Sequence, residues 1–248
     1  RYLGETIDIH TASQDLMFTH HENDIAIAEA LTGKPLANYW LHSGVLLMDG
    51  KKMSEDAGNI VTLHEVLERG YTGRELRFLL LGVHYRKPLH FSFRRLDSAR
   101  RSLMRIDEFT RKLLCLPPDL PHPYISVFVA DLERNFHAAM DDDLNISGAI
   151  GSLFDFIKKI NPVLQTGSLE REQKNLILET LRRINSVLGI LRLEQCPLAP
   201  DVDRLLRERD HARQLKDWPT ADGARDELLK KGITVRDTAS GPVWEKID

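Results

Sequence analysis

The sequence contains few cysteines and no long apolar run. Two cysteines occur among its 248 residues, Cys115 and Cys196, and they lie far apart without the close spacing of a metal-binding or redox pair. We therefore expect no disulfide framework, a buried apolar role for each thiol, and a reducing compartment, which favours the cytoplasm. The apolar stretches, such as residues 78–83, are far shorter than the roughly 20 residues that cross a bilayer. We expect no membrane association.

The sequence also lacks a strong charge of either sign. A net charge of -3 excludes a protein that coats nucleic acid indiscriminately, although a few placed arginines and lysines could still contact RNA. No internal repeat or low-complexity tract is present, and 42% of the residues are apolar, which suffices for packed cores. These features predict a folded, globular protein.

The beginning of the chain has the pattern of an α/β arrangement. Thr6–His10 alternates like a short strand, and a polar turn is expected over Thr11–Gln14. A helix is expected over His21–Leu31, followed by a strand-rich segment, Tyr39–Met48, that ends at the turn Asp49-Gly50. The expected helix is closed by Gly33 and Pro35 and has one apolar face: Ile25, Ile27, Ala28 and Leu31.

From Thr62 onward the helical period dominates. After two short helices, the pattern predicts four long helices, at Phe93–Leu114, Tyr124–Met140, Ile146–Leu164 and Leu169–Leu191. The first of these has a clear apolar stripe: Leu96, Ala99, Leu103, Ile106 and Phe109. The pattern of the tail predicts two helices, at Val202–Trp218 and Thr220–Lys231. It then predicts two short strands, at Ile233–Val235 and Pro242–Trp244. The predicted fold is mainly α, with a partial α/β piece at its start and a small α+β tail.

Three separated parts of the chain carry short motifs in a fixed order. The first part contains Phe18–Asp24 (FTHHEND), Asn38–Trp40, His42–Gly44 and Lys52–Ser54. The second is Asp141–Asn145, and the third lies between Ala212 and Ile233. Together they resemble the cysteinyl-tRNA synthetases, a family of class I aminoacyl-tRNA synthetases. The resemblance covers almost the whole chain.

The resemblance implies a cysteine–tRNA ligase, which uses ATP, Mg and cysteine to charge cysteine tRNA and acts as a monomer. It implies four regions: the carboxy-terminal part of a Rossmann-type catalytic domain (1–60), a stem-contact region (61–92), a tRNA-binding helical bundle (93–196) and an anticodon-binding domain (197–248). The His-Ile-Gly-His motif of the family would lie upstream of Arg1. The chain would then be the carboxy-terminal half of an enzyme and inactive alone.

The resemblance assigns the loop at Lys51–Asp56 to catalysis. Lys52, Met53 and Ser54 match the first three positions of the family's Lys-Met-Ser loop, whose cations stabilise the charge that builds up on the pyrophosphate leaving group. ATP contacts are implied for Lys52, for Ser54 and for position 55, where Glu55 replaces the second lysine of the family. A carboxylate there repels phosphates, so we expect weakened activation. Without the flanking motifs, a solvated turn after a strand would explain the same residues.

Histidines in the first part suggest a substrate pocket and a metal site. The resemblance makes His10 and His21 walls of a cysteine pocket, whereas a hydrogen-bonded buried histidine is the structural alternative. It places His20 and Asp24 at two of the family's four zinc positions, although Asp24 is shorter than the family's glutamate. With two ligands missing we expect no zinc in this chain. The alternative is a cluster at a helix N-terminus, where a carboxylate favours the macrodipole.

The tail carries residue types that recognise unpaired RNA bases by stacking and by hydrogen bonds to base edges. Five of them match anticodon-contacting positions of the family: Arg213, Trp218, Asp222, Arg225 and Asp237. Taken alone, Trp218 is better explained as a core or capping residue. Two other functions stay open: a diverged paralogue that binds tRNA or a partner without aminoacylation, and a relative that joins cysteine to a small molecule.

Overall fold

The computed structural model describes residues 3–116, 120–166, 169–193, 200–238 and 241–246, without the side chains of 200, 203, 214, 236–238 and 241–246. The chain divides into two compact units, Arg1–Leu193 and Glu194–Asp248. Within the described residues, none of the helices is both long enough and apolar enough to span a membrane. The predicted fold class, mainly α with a partial α/β piece and an α+β tail, is confirmed.

The first unit begins with a β–α–β arrangement. Strands β1 (Ile7–Ser13) and β2 (Ala37–Ser43) pair in parallel. The connection between them contains a 3-10 turn (Gln14–Leu16), a π-helical turn (Met17–His21) and helix α1 (Glu22–Thr32). Gly33 ends α1 in the left-handed conformation, with φ +68°, and its N–H donates to the Glu29 carbonyl at 2.8 Å. The predicted helix and its glycine terminus are confirmed.

The prediction of a turn over Thr11–Gln14 is wrong for its first three residues. Residues 11–13 continue β1 alongside residues 41–43 of β2. The parallel ladder provides backbone hydrogen bonds there, and the chain turns only at residues 14–16. Serine and threonine suggested a turn because their side chains compete for backbone groups where no partner strand is visible in the sequence.

Helix α1 does not bury the apolar face that the sequence predicts. None of its residues is buried, and the side chains of Ile27 and Leu31 are 69% and 85% exposed. Ile9 and Tyr39 on the adjacent strands are also exposed. This part of the first unit therefore presents large apolar side chains that the described residues leave uncovered.

A small three-stranded sheet follows. Strand β3 (Leu46–Met48) pairs antiparallel with β4 (Lys51–Lys52) and parallel with β5 (Leu89–Phe91). Asp49 and Gly50 form the hairpin turn with φ values of +50° and +77°, as the Asp-Gly pair predicts. Helices α2 (Leu63–Glu68) and α3 (Gly73–Leu81) lie between β4 and β5 in the chain and begin at capping threonines.

Four helices form the core of the first unit. They are α4 (Phe93–Cys115), α5 (Ile125–Asp141), α6 (Ile146–Thr166) and α7 (Arg171–Leu188). The predicted stripe of α4 is confirmed, because all five of its residues are at most 4% exposed. Burying each of its large side chains contributes about 1.5–3 kcal/mol relative to exposure. The predicted bundle is thus built on the 3.6-residue period visible in the sequence.

The expected burial of the cysteines is wrong for Cys115, which is exposed. It follows the buried Leu113 by two positions, or about 200° around the helix, and so faces away from the core. Cys196 lies outside the described residues.

The second unit contains two helices and a hairpin, as predicted. Helices α8 (Pro200–Gln214) and α9 (Trp218–Lys230) precede antiparallel strands β6 (Ile233–Thr238) and β7 (Gly241–Lys246). Pro219 lies in the first turn of α9, where its missing N–H costs nothing. The unit has its own core: Val202, Leu205, Leu206, Ala224, Leu228, Ile233 and Val235.

Candidate functional site

Four aromatic rings gather on one face of the β1–β2 pair. His10 lies opposite Trp40, and Ala12 lies opposite His42, so the alternation of each strand points these residues to the same side. The His10 and Trp40 ring centroids are 4.4 Å apart, and the Trp40 and His42 rings stack at 5.9 Å. His21 approaches from the π-helical turn, 5.0 Å from both His10 and His42. We call these four residues the ring cluster.

The histidines of the ring cluster are arranged as hydrogen-bonding partners. His21 is 4% exposed, and its Nδ1 lies 2.9 Å from Nε2 of His42, so that one ring donates to the other. His10 Nδ1 is buried and makes no hydrogen bond to any of the described residues. A buried ring nitrogen without a partner can accept a polar group from a bound molecule.

Electrostatics favour a neutral imidazole at His42. Burial lowers the pKa of His42, and the neighbouring His21 and His10 lower it further, followed by the guanidinium of Arg86. A neutral imidazole keeps one donor and one acceptor nitrogen, which the hydrogen bond between His21 and His42 requires.

The structure brings together His10 and His21, the two predicted pocket histidines, and adds Trp40 and His42. Sequence reasoning did not assign these two to the pocket, although their spacing of two along a strand was the available signal. Ala12 also faces the ring cluster, whereas Thr11 and Ser13 point to the opposite face of the strand pair.

The two predicted metal positions lie outside the ring cluster. His20 and Asp24 are exposed, and Nδ1 of His20 lies 2.8 Å from the hydroxyl of Thr19. Within the described parts of the chain, no three His, Cys, Asp or Glu side chains are grouped to hold a metal ion. His20 and Asp24 provide at most two of the four ligands that zinc takes, so they do not fit a zinc site by themselves.

The loop that follows β4 is held by one asparagine. Asn59 Oδ1 accepts from the Ser54 N–H at 3.0 Å, and Asn59 Nδ2 donates to the Lys52 carbonyl at 3.1 Å. Met53 packs against the main core, and its N–H donates to the Leu46 carbonyl at 2.8 Å. These contacts fix the backbone of 52–54 while leaving the two ends of the loop exposed.

The ammonium group of Lys52 pairs with the carboxylate of Asp15, which follows β1. A hydrogen bond from Lys52, helped by one from Ser13, lowers the pKa of Asp15 from 3.8 to about 2. Both side chains are more than a third exposed, at 56% for Lys52 and 38% for Asp15. The cation therefore lies on the solvent-facing side of the β1–β2 end, where an anion could compete for it.

The other predicted loop residues do not supply a second cation. Glu55 is exposed, and its carbonyl accepts from the Gly58 N–H at 2.9 Å in the turn that closes the loop. Lys51 pairs with Met48 across the hairpin and is exposed. Lys52 is the loop lysine that reaches toward β1.

In the second unit, three of the five predicted RNA-facing residues share one exposed face of α9. Trp218, Asp222 and Arg225 follow each other at spacings of four and three along α9, and all three are exposed. The guanidinium of Arg213 lies 5.5 Å from the Trp218 ring centroid. Asp237 belongs to β6, and its side chain is outside the described residues. We call Trp218, Asp222 and Arg225 the α9 face; Arg213 belongs to α8.

Three known families match successive parts of the chain. Residues 1–101 match the class I (C) tRNA synthetase catalytic domain, residues 135–192 match the DALR domain, and residues 197–244 match the cysteinyl-tRNA ligase anticodon binding domain. A solved structure of Agrobacterium radiobacter K84 agnB2 LeuRS, in a ternary complex with tRNA and LeuAMS, is similar in fold. Its TM-score is 0.53 at 14% identity, over 75% of this chain and 28% of that one.

Full-length relatives extend the match. Cysteine–tRNA ligase of Chlamydia muridarum is 42% identical over 99% of this chain and 54% of its own length. That of Chlamydia pneumoniae is 42% identical over 97% and 51%, and that of Protochlamydia amoebophila is 36% identical over 98% and 52%. The chain spans about half the length of the curated relatives it matches. With all three domain matches in order, the chain belongs to the cysteinyl-tRNA synthetase family of class I aminoacyl-tRNA synthetases.

Proposed function

We propose that the protein to which this chain belongs is a cysteine–tRNA ligase. It activates cysteine with ATP and Mg and then transfers the cysteinyl group to cysteine tRNA, as a cytoplasmic monomer. The observation that carries this proposal is the identity of up to 42% over 99% of the chain with proteins named cysteine–tRNA ligase. That match does not favour a diverged paralogue without aminoacylation.

In this proposal each region of the chain has one task. Residues 1–60 belong to the catalytic domain, residues 61–92 contact the tRNA stem, residues 93–196 form a tRNA-binding bundle, and residues 197–248 bind the anticodon. The uncovered apolar side chains of α1 and the β1–β2 pair support a catalytic domain that is completed by further polypeptide. The chain alone would then lack activity.

Activation requires stabilisation of the pyrophosphate leaving group. The cysteine carboxylate attacks the α-phosphorus of ATP in line, the bond to the bridging oxygen breaks, and negative charge builds up on the departing phosphates. Lys52 would leave Asp15 and bind those phosphates, while Asn59 keeps the backbone of Met53 and Ser54 in place. Glu55 stands where the family has a second lysine and opposes this charge.

The ring cluster is the proposed cysteine pocket. His10 and His21 form its walls, and the buried Nδ1 of His10 has no hydrogen-bond partner among the described residues to prevent it from meeting the substrate. Since His20 and Asp24 cannot complete a zinc site by themselves, we assign no step to zinc. Further ligands would have to come from outside the described residues.

Cysteine-dependent exchange of pyrophosphate into ATP by the full-length protein tests this proposal. Lys52→Ala should lower the exchange kcat by about a hundredfold, the usual loss when one donor to a developing charge is removed. Lys51→Ala, the matched control one residue earlier, should leave the rate near that of wild type. Glu55→Lys should raise the rate. Absence of cysteine-dependent exchange in the wild type would overturn the proposal, and an unchanged rate in Glu55→Lys would remove the role given to Glu55.

A further inference from the structure

One carboxylate of the helical bundle binds two successive side chains of a loop near the ring cluster. Asp143 Oδ1 accepts from the Tyr85 hydroxyl at 2.7 Å and from Nη2 of Arg86 at 3.0 Å, and its Oδ2 accepts from Nε of Arg86. Nε2 of His84 lies 3.8 Å from the same Oδ2. These bonds lower the pKa of Asp143 to about 2, with Arg86 as the main cause and Tyr85 second.

The turn between α5 and α6 presents Asp143 in a conformation that costs free energy. Asp143 and Leu144 both have positive φ, at +52° and +55°, which L-residues rarely adopt in succession. The side chain that caps α6 is that of Asn145, whose Oδ1 accepts from the Gly148 N–H at 3.0 Å. The side chain of Asp143 contacts the loop instead of capping α6.

The loop bound by Asp143 lies directly against the end of β2. The Gly44 N–H donates to the Tyr85 carbonyl at 2.7 Å, and the Leu89 N–H donates to the Val45 carbonyl at 3.0 Å. A Cβ at Gly44 would lie 2.5 Å from the backbone carbonyl of Lys87, so the two backbones touch. The loop at residues 84–88 therefore contacts Gly44, which lies two residues after His42.

We propose that Asp143 is a positioning residue that couples the helical bundle to the ring cluster, acting through Arg86 and the backbone contact at Gly44. The coupling sets the position of His42 and, through the stacked rings, of Trp40. Arg86 lies close enough to His42 to act on its pKa, after burial and the two neighbouring histidines. The inference deepens the proposed function, because it gives the bundle a part in shaping the cysteine pocket.

A purely structural surface ion pair is the competing explanation. Single exposed pairs contribute little, about 0–1 kcal/mol, and the side chains of Arg86 and Asp143 are 57% and 43% exposed. The geometry of this contact distinguishes it from a single pair. The guanidinium of Arg86 binds the Asp143 carboxylate through two nitrogens, and the hydroxyl of the adjacent Tyr85 donates to the same carboxylate. The test must therefore detect a change in the ring cluster, because a change in the free energy of unfolding alone would not distinguish a positioning role from a structural ion pair.

Fluorescence of Trp40 reports on the cluster without requiring activity. In the 248-residue chain carrying Trp218→Phe and Trp244→Phe, Trp40 is the remaining tryptophan. Asp143→Asn should shift its emission to longer wavelength and increase its quenching by acrylamide, whereas Asp142→Asn, which removes the same charge one residue earlier, should not. Arg86→Gln should reproduce the effect, and the double variant should equal the single variants. Unchanged Trp40 emission in folded Asp143→Asn and Arg86→Gln would overturn the proposal.

Kinetics of the full-length protein provide the second arm. A small displacement of a binding group can cost up to a hundredfold, so we expect Asp143→Asn to lower kcat/KM for cysteine by about tenfold, with the KM for ATP near that of wild type. Equal losses for cysteine and ATP would indicate general damage and contradict a positioning role. If the wild type shows no cysteine-dependent exchange, the proposed function fails, while the Trp40 measurement still decides whether Asp143 acts on the cluster.

Discussion

At the scale of single residues, the contact between Lys52 and Asp15 joins two parts of the proposed active site that are 37 positions apart in the chain. Lys52 was identified from its motif, but its partner was not, because nothing in the spacing of the sequence links residue 15 to residue 52. The same applies to Asp143 and Arg86, which are 57 positions apart. Motifs identify the chemical groups, and only the folded arrangement of distant segments determines which groups meet.

The pKa of Asp15 tests this contact directly. In the folded chain the carboxyl should titrate near 2, and in Lys52→Met it should return toward 3.8, because the main cause of the shift is the hydrogen bond from Lys52. The folded pKa is depressed, so the stabilisation by this pair is present above pH 3.8 and is lost as the pH falls through about 2. Carbon-detected NMR of the aspartate carboxyls measures both values. Lys51→Met is the control and should leave the titration unchanged; a midpoint near 3.8 in the wild type would contradict the contact.

At the scale of elements, two arginines of α3 tie it to the bundle. Arg74 binds Asp107 of α4 through both terminal nitrogens, at 2.7 and 2.6 Å, and its Nε donates to the Ile190 carbonyl at 2.7 Å. Arg77 donates to the Leu188 carbonyl at 2.5 Å. The last carbonyls of α7 have no partners within the helix, and Arg77 satisfies the one at Leu188, while Arg74 binds the Ile190 carbonyl just beyond the end of α7.

Removal of this tie should destabilise the first unit. The Arg74 and Asp107 side chains are 16% and 21% exposed, so Arg74→Leu leaves a largely buried carboxylate without its partner. We expect a loss of about 2 kcal/mol in the free energy of unfolding, below the value for a fully buried pair. Arg134→Leu, at the exposed pair with Asp131, should change stability by at most about 0.5 kcal/mol. Urea unfolding measures both, and similar losses in the two variants would refute the role given to Arg74.

The elements themselves were largely predictable, and the site was only partly so. Helix α4 was found because its buried residues repeat with the helical period, and the Asp49-Gly50 turn because of its dipeptide. Strand β5 was missed, since its three residues have too short a pattern to detect. Trp40 lies beside His10 because of the register of β1 against β2. The residue pattern along one strand carries no information about how that strand aligns with its neighbour.

At the scale of the whole molecule, the second unit should read the anticodon through the α9 face. Asp222 accepts from exocyclic amines, Arg225 donates to base edges, and Trp218 offers a stacking surface that is 52% exposed. The 248-residue chain should bind cysteine tRNA more tightly than the same tRNA with a changed anticodon, and Asp222→Ala should remove the difference. Asp226→Ala, a neighbouring exposed acid, is the control. Equal affinity of the wild type for both tRNAs in filter binding would exclude readout by this face.

The central claim is that the protein charges cysteine tRNA. Its most direct test is the formation of cysteinyl-tRNA by the full-length protein with ATP, compared with a parallel reaction in which serine replaces cysteine. We expect cysteine to be attached to the tRNA and serine not, and Lys52→Ala to slow the reaction by about a hundredfold at matched enzyme concentration. A protein that binds cysteine tRNA but attaches no cysteine to it would contradict the account.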